Sequence, residues 1–150
     1  MLRAAAPEAE PPDEGNTVDA LSVDRWFAAY LADFIALGRG DAEDVHRLVA
    51  RYGVPLLVST DKGSRTLDGA AEVLAFAHQQ IAELRATDYD RSRELEAETV
   101  VLNRSCATRC ALLSRLRADG TEIARLPATY LITGAGQGRR ISAIVVHAAP

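Results

Sequence analysis

Two cationic side chains near the end of the chain offer the clearest chemistry in the sequence. Arg125 and His147 lie on consecutive predicted strands, and a hairpin through the loop at 134–138 places them opposite each other. A buried guanidinium needs an anionic partner, because an isolated charge is costly away from water. Asp33 on the first predicted helix is one such partner, and a ligand carboxylate, phosphate or enolate is another. The pattern therefore leaves two alternatives open, an internal ion pair or an anion-binding pocket.

Further polar and aromatic residues fall where they would line such a pocket. Gln80 lies in the middle of the apolar face of the third predicted helix, where its amide has to find partners or line a polar cavity. Asp33 lies beside Trp26 and Tyr30 at the edge of the apolar face of the first helix. A carboxylate at this edge could line the pocket or could simply contact water. No catalytic residue is assigned. The candidate ligand-binding residues are Trp26, Tyr30, Asp33, Gln80, Arg125, Thr129 and His147.

The sequence gives no reason to expect a cofactor or a metal. The glycine-rich run GAGQG at 134–138 precedes a strand, whereas a dinucleotide-binding loop has to open a helix. Cys106 and Cys110 fall on one predicted strand, about 13 Å apart and too far for a mutual disulfide. We expect both thiols to be buried. The three histidines lie in separate elements without carboxylates at metal-ligand spacing.

Charge is concentrated at the amino terminus. The net charge is −4, and residues 1–19 contain one arginine against five acidic residues, so that residues 20–150 are formally neutral. This balance provides no basic surface for nucleic acid and no polybasic patch for anionic lipid. The apolar runs are shorter than the roughly 20 residues that a bilayer span needs, and the first residues lack an apolar signal core. We therefore expect a cytoplasmic protein that binds neither nucleic acid nor membranes.

The periodicity of apolar residues divides the chain into a tail and one α+β domain. Residues 1–19, rich in Ala, Pro and Glu, predict a disordered tail, and residues 20–150 predict a single domain. Helices are expected at about 20–38, from the N-cap Asp41 to a stop at Gly53, and at 68–86. A short hairpin separates the second helix from the third. Antiparallel strands follow at 93–103, 105–117, 121–133 and 139–147.

This order of elements resembles a known superfamily. From "DRWFAAYLADFIALGRGDAEDVHRLV" through "YLITGAGQGRRISAIVVH" the chain is similar to nuclear-transport-factor-2-like, or SnoaL-like, proteins of a bacterial, actinobacterial branch. The resemblance covers nearly all of residues 20–148 and rests on the element order and on the closing turn followed by "RRI". It implies a cystatin-like cone, in which three helices pack on a curved, mainly antiparallel sheet, and it implies a dimer.

The resemblance also implies functions of different classes, because the superfamily contains ketosteroid isomerases, polyketide cyclases, epoxide hydrolases and non-catalytic domains. The first functional hypothesis is that the protein binds a small apolar or anionic ligand under the helices. The second is isomerase, cyclase or hydrolase activity, with Asp33 or His147 as the base and Tyr30 as the donor. A purely structural dimer module is the third. The predicted inner strand face carries no Asp or Glu, unlike the ketosteroid isomerase pattern, so we place binding first.

Turn positions predict which strand residues share a face of the sheet. Two-residue turns at 103–104 and 119–120 pair Glu98 with Arg109 and Cys110 with Thr129. The face expected to line the pocket contains Ala97, Thr99, Cys106, Thr108, Cys110, Leu112, Ile123, Arg125, Thr129, Leu131, Ile141, Ala143, Val145 and His147. The opposite face is expected to form a homodimer interface, because a monomer rarely exposes so large an apolar patch. Its apolar residues are Leu113, Leu126, Tyr130, Ile132, Ile144 and Val146, and its charged residues are Glu98, Arg109, Arg115 and Glu122.

Overall fold

Three helices cover one face of a six-stranded sheet in the computed structural model, which describes residues 19–148. The helices are α1 (Ala20–Arg39), α2 (His46–Val49) and α3 (Ala70–Arg85). The strands are β1 (Tyr52–Thr60), β2 (Gly63–Leu67), β3 (Tyr89–Asn103), β4 (Cys106–Arg117), β5 (Glu122–Thr133) and β6 (Arg140–Val146). Their order is β2-β1-β6-β5-β4-β3, and only the β1/β6 pair is parallel. The predicted α+β class with a mainly antiparallel sheet is confirmed.

The predicted disordered tail, residues 1–19, lies outside the described residues except for Asp19. This residue belongs to the first helix as its N-cap, since its carboxylate accepts a hydrogen bond of 2.8 Å from the backbone N–H of Ser22. Within residues 19–148, no helix combines the length and the apolar character needed to cross a bilayer.

Helix α1 forms because apolar residues recur every three or four positions and bury one face against the sheet. Val23, Phe27 and Leu37 on this face are fully buried. The helix ends at Gly40, whose φ of +89° is a left-handed conformation that favours glycine.

The second helix is much shorter than expected. The predicted start at Asp41 is wrong, because the backbone N–H groups of Asp41 and Ala42 both bond to the carbonyl of Ala36 and so complete the end of α1. The carboxylate of Asp44 caps the next turn instead, accepting 3.0 Å hydrogen bonds from the backbone and the ring of His46. Only His46–Val49 is helical.

Aromatic side chains join α1 to the sheet in the interior. The rings of Phe27 and Tyr130 are 4.8 Å apart, those of Tyr30 and Tyr52 are 5.9 Å apart, and Phe34 meets Tyr89 edge-on at 6.3 Å. Such tilted and edge-on contacts are the favourable arrangements for aromatic pairs. The core therefore lies between α1, α3 and the inner face of the sheet.

The two faces of the sheet are exchanged relative to the prediction along β4, β5 and most of β6, whereas Thr99 of β3 and Ile141 of β6 lie under the helices as predicted. Tyr130, Ile132 and Ile144, expected at a dimer interface, are buried in the core beneath the helices. Thr129 and His147, expected in the pocket, lie on the opposite face. The physical reason is that the larger apolar set gains most from burial, so it is the set that the helices cover.

Two of the three predicted registers also differ. The β3–β4 turn lies at 104–105 and pairs Thr99, not Glu98, with Arg109; Asn103 forms this turn by accepting the N–H of Ser105. The β4–β5 register is as predicted, with Cys110 opposite Thr129. The loop before β6 is one residue longer than expected, and the register shifts again between Leu131 and Ile132, so that Thr129 pairs with Val145 and not with Ala143.

Candidate functional site

A cavity of about 280 Å³ lies between the helices and the inner face of the sheet. Most of its wall is apolar and comes from α1, α3 and the strands, including Leu31, Phe34, Phe76, Leu113, Leu126 and Ile144. The polar groups on its wall are Thr60, Gln80, Glu83, Ser92, Arg115 and Tyr130. An apolar cavity with a few polar groups is the usual form of a small-molecule site.

Arg115 is the cationic group of this cavity. It lies on β4, with Ser92 opposite it on β3 and Ala124 opposite it on β5. Its guanidinium carbon is 5.8 Å from the centre of the Phe34 ring, a cation–π contact. Within residues 19–148 the guanidinium forms no hydrogen bond and no ion pair. Its N–H donors are therefore open to a partner in the cavity.

Four tyrosines are buried in the core, and one of them, Tyr130, lines the cavity. Burial raises the pKa of Tyr30, Tyr52, Tyr89 and Tyr130 above the ordinary value, so all four are protonated at neutral pH. The positive charge of Arg115 acts in the opposite direction and lowers the pKa of each of them.

The four hydroxyls differ in their partners. Tyr89 bonds to Ser92 at 2.7 Å, and Tyr30 bonds to Tyr52 at 3.1 Å. The hydroxyl of Tyr130 has no hydrogen-bond partner among the described residues, although its ring lines the cavity. It is thus a second polar group that a ligand would find unpaired.

Gln80 projects from α3 at the boundary between the cavity and an adjoining groove. Its side-chain oxygen accepts a hydrogen bond of 2.8 Å from Tyr52. The groove, of about 450 Å³, runs between α3 and the β1–β2 hairpin and carries Lys62 and Arg65 at its outer end. The cavity and the groove share the wall residues Phe76, Gln80 and Glu83, so the groove leads from the cavity to the surface.

Carboxylates near the cavity are either at its mouth or already paired. Glu83, the one acidic residue on the described part of the cavity wall, is exposed and accepts a hydrogen bond from Gln79. Glu94 and Asp24 both bind Arg109, at 2.9 Å and 2.7 Å. Arg109 is therefore a buried arginine with an internal ion pair. Arg115 is half-buried and has no ion pair among the described residues.

The predicted pairing of Arg125 with Asp33 is wrong. The side chain of Arg125 is 60% exposed and binds Glu122 at 3.0 Å. Asp33 binds Arg47 at 2.8 Å and Arg51 at 3.1 Å. Both predictions for Arg125, an internal pair with Asp33 and an inward anion site, fail because its strand position points away from the helices.

His147 and Thr129 lie together on the outer face of the sheet, remote from the cavity. The hydroxyl of Thr129 is 2.6 Å from the Nε2 atom of His147 and 3.2 Å from the sulfur of Cys110. The expectation that both cysteines are buried is also wrong, since Cys110 is exposed and Cys106 is half-buried.

The other predicted site residues lie on α1 and α3. Trp26 is half-buried beside Arg51, whose guanidinium carbon is 5.5 Å from its ring, in an open groove that also contains Asp33. Tyr30 is buried in the core and reaches Gln80 through Tyr52. Of the seven candidates, Gln80 lines the cavity itself, and the structure adds Arg115 and Tyr130 to the site.

Sequence reasoning missed Arg115 and Tyr130 for one reason. Both lie on the face that we assigned to a dimer interface, so their inward position was hidden by the exchange of faces. A signal was available, since the largest alternating apolar set of β4–β6, which includes Leu113 and Ile132, shares that face.

Solved structures with this fold are diverse in sequence. A domain of unknown function with a cystatin-like fold from Nostoc punctiforme gives a TM-score of 0.62 at 19% identity, over 87% of this chain and 77% of its own. An NTF2-like protein of unknown function from Shewanella oneidensis gives a TM-score of 0.59 at 15% identity, over 83% of this chain and 94% of its own. Aln2 from a Streptomyces species gives a TM-score of 0.60 at 15% identity, over 91% of this chain and 92% of its own. At these identities the likeness shows the fold alone.

The sequence itself also matches a family. No curated protein is significantly similar to the chain. The model of the family described as NTF2-like protein (DUF6841) matches residues 19–149, which is most of the chain. The protein therefore belongs to this NTF2-like family.

Proposed function

We propose that the protein binds a small, mainly apolar molecule bearing a carboxylate or another anionic or carbonyl group, with Arg115 as its anchor. The observation that carries this proposal is the Arg115 guanidinium, which lies in the cavity without a hydrogen bond or ion pair from residues 19–148. The Arg115 side chain is half-buried, and a guanidinium partly withdrawn from water binds an anion more strongly than a fully exposed one does. A ligand anion would be the partner of this guanidinium.

The other polar groups of the cavity support the same ligand chemistry. The side-chain nitrogen of Gln80 and the hydroxyl of Tyr130 have no hydrogen-bond partner among the described residues. Together with Arg115 they offer hydrogen-bond donors to an acceptor-rich group. The volume, about 280 Å³, is close to the lower end of the range typical of ligand pockets, so the molecule is small.

The enzymatic alternative lacks a base in the right place. Asp33 and His147, the two predicted bases, lie outside the cavity, and Tyr30 is a protonated core residue. Glu83 is exposed at the mouth of the cavity and already accepts a hydrogen bond from Gln79. Binding is therefore the function that the site supports best. The cytoplasmic location stays a prediction.

Thermal unfolding with a matched pair of ligands tests the proposal. 3-Phenylpropanoate should raise the melting temperature, and the uncharged 3-phenylpropanamide should do so much less. A ligand at a hundred times its Kd stabilises a protein by about 2.7 kcal/mol, which corresponds to several degrees for a chain of this size.

Variants separate the cavity from the protein surface. Arg115→Met should abolish the stabilisation by the acid, and Arg125→Met, which removes an exposed arginine of the same sheet, should leave it unchanged. Equal responses of wild type and Arg115→Met to the acid, or no response of the wild type to short aromatic and aliphatic acids, would contradict the proposal.

A further inference from the structure

A chain of three side chains leads from the core to the cavity wall. Tyr30 and Tyr52 are 3% and 2% exposed, and their hydroxyls are 3.1 Å apart. Tyr52 in turn donates its proton to the side-chain oxygen of Gln80 at 2.8 Å. Gln80 is the last member and the one that lines the cavity.

The direction of this chain is fixed by the number of protons available. A phenol has one proton to donate, and that of Tyr52 is engaged by Gln80, so Tyr52 accepts the proton of Tyr30. In the reverse direction, Tyr52 would donate to Tyr30, and the proton of Tyr30 would have no acceptor among residues 19–148. A buried hydroxyl without an acceptor is unfavourable. The forward direction is therefore the stable one.

The consequence is a defined orientation of the Gln80 amide. Its oxygen is held by Tyr52, and its nitrogen is left without a partner from the described residues. An amide that was free to rotate could present either its oxygen or its nitrogen to a ligand. The chain restricts Gln80 to the role of a donor.

We propose that Tyr52 is a positioning residue that holds Gln80 as a hydrogen-bond donor and so makes the cavity selective for carboxylates over the corresponding primary amides. This inference rests on the proposed function, because it concerns the same cavity and the same anchor, Arg115. A carboxylate accepts from Arg115 and Gln80 together. A primary amide has only one acceptor atom, and its own N–H groups would face a donor.

Calorimetric titration with 3-phenylpropanoate and 3-phenylpropanamide measures this selectivity as the ratio of the two dissociation constants. In Tyr52→Phe the ring remains but the proton that holds Gln80 is lost, so the amide can turn its oxygen to the ligand. We expect the preference for the acid to fall about tenfold, the effect of roughly one hydrogen bond. Tyr30→Phe makes the same chemical change one position further from the cavity and should leave the preference unchanged, because Tyr52 still donates to Gln80.

A double-variant cycle shows whether Tyr52 acts through Gln80. Gln80→Met should lower the preference to a similar extent, and adding Tyr52→Phe to Gln80→Met should change it no further. If Tyr52→Phe retains the wild-type preference, or lowers it equally in the Gln80→Met background, the inference is overturned while the proposed function stands. If the wild type binds neither compound, the proposed function fails, and this inference fails with it.

Discussion

Three arginines of β4 and β5 differ in what their guanidinium groups contact, although sequence alone gives them the same charge. Arg109 is buried with two carboxylates and packs 4.8 Å from the Phe27 ring. Arg125 is exposed and has a partner three residues away. Arg115 faces an apolar cavity and binds no carboxylate of the described residues. Strand position sets whether a side chain points toward the helices, as in Arg109 and Arg115, or away from them, as in Arg125. Of the two inward arginines, Arg109 meets the carboxylates of Asp24 and Glu94.

The difference predicts opposite effects on the stability of the protein without ligand. Arg109→Met leaves Glu94 and Asp24 without their partner and should lower the free energy of unfolding by about 2 to 3 kcal/mol, less than for a fully buried pair because Asp24 is half-exposed. Arg115→Met keeps an apolar stem against the wall and removes an unpaired charge, so stability should stay the same or rise. Urea unfolding measures both. A loss of stability in Arg115→Met as large as in Arg109→Met would mean that Arg115 is paired within the protein.

At the scale of elements, the alternation of apolar residues predicted α1, α3, the hairpin and the four-strand meander, because these patterns depend on local periods of 3.6 and 2. The faces of the sheet and the registers of the strands could not be predicted from these local periods. A turn displaced by one residue at Asn103 moves the partners of residues 96–101 by one, and the capping of α1 by Asp41 and Ala42 removes most of the predicted second helix. Both depend on hydrogen bonds within a single turn, which composition does not specify.

The outer face of the sheet is the surface on which we expect a second copy of the chain. Leu57 and Val100 on this face are 39% and 43% exposed, and Leu131 and Val145 between them are half-buried. Exposed apolar side chains grouped on an open sheet face are typical of a symmetric contact between identical chains. Light scattering at micromolar concentration should give twice the mass of the chain. Leu131→Glu should give monomers, and Leu21→Glu on the exposed side of α1 should not. A monomeric wild type would refute the dimer.

For the whole molecule, burial of all four tyrosines makes the fold sensitive to alkaline pH. The chain contains four tyrosines, and burial raises the pKa of each. The unfolded chain releases these protons at about pH 10, whereas the folded protein retains them. The tyrosines therefore contribute full stability below pH 10, and this contribution is lost as the pH rises further.

Absorbance of tyrosinate followed together with circular dichroism tests this expectation. The tyrosinate signal should rise with the loss of helical dichroism, in one transition above pH 10. Titration of one or more tyrosines near pH 10 in the folded protein would show that water reaches those hydroxyls and that the interior is more open than the structure describes.

The position of a bound acid tests the central claim most directly. A crystal of the protein grown with 3-(4-bromophenyl)propanoate would locate the bromine by its anomalous scattering and the carboxylate by its density. We predict the carboxylate within hydrogen-bond distance of the Arg115 guanidinium and the bromine among the apolar side chains near Phe34 and Leu113. An empty cavity at saturating acid, or a carboxylate bound only at surface arginines such as Arg47 and Arg51, would contradict the account.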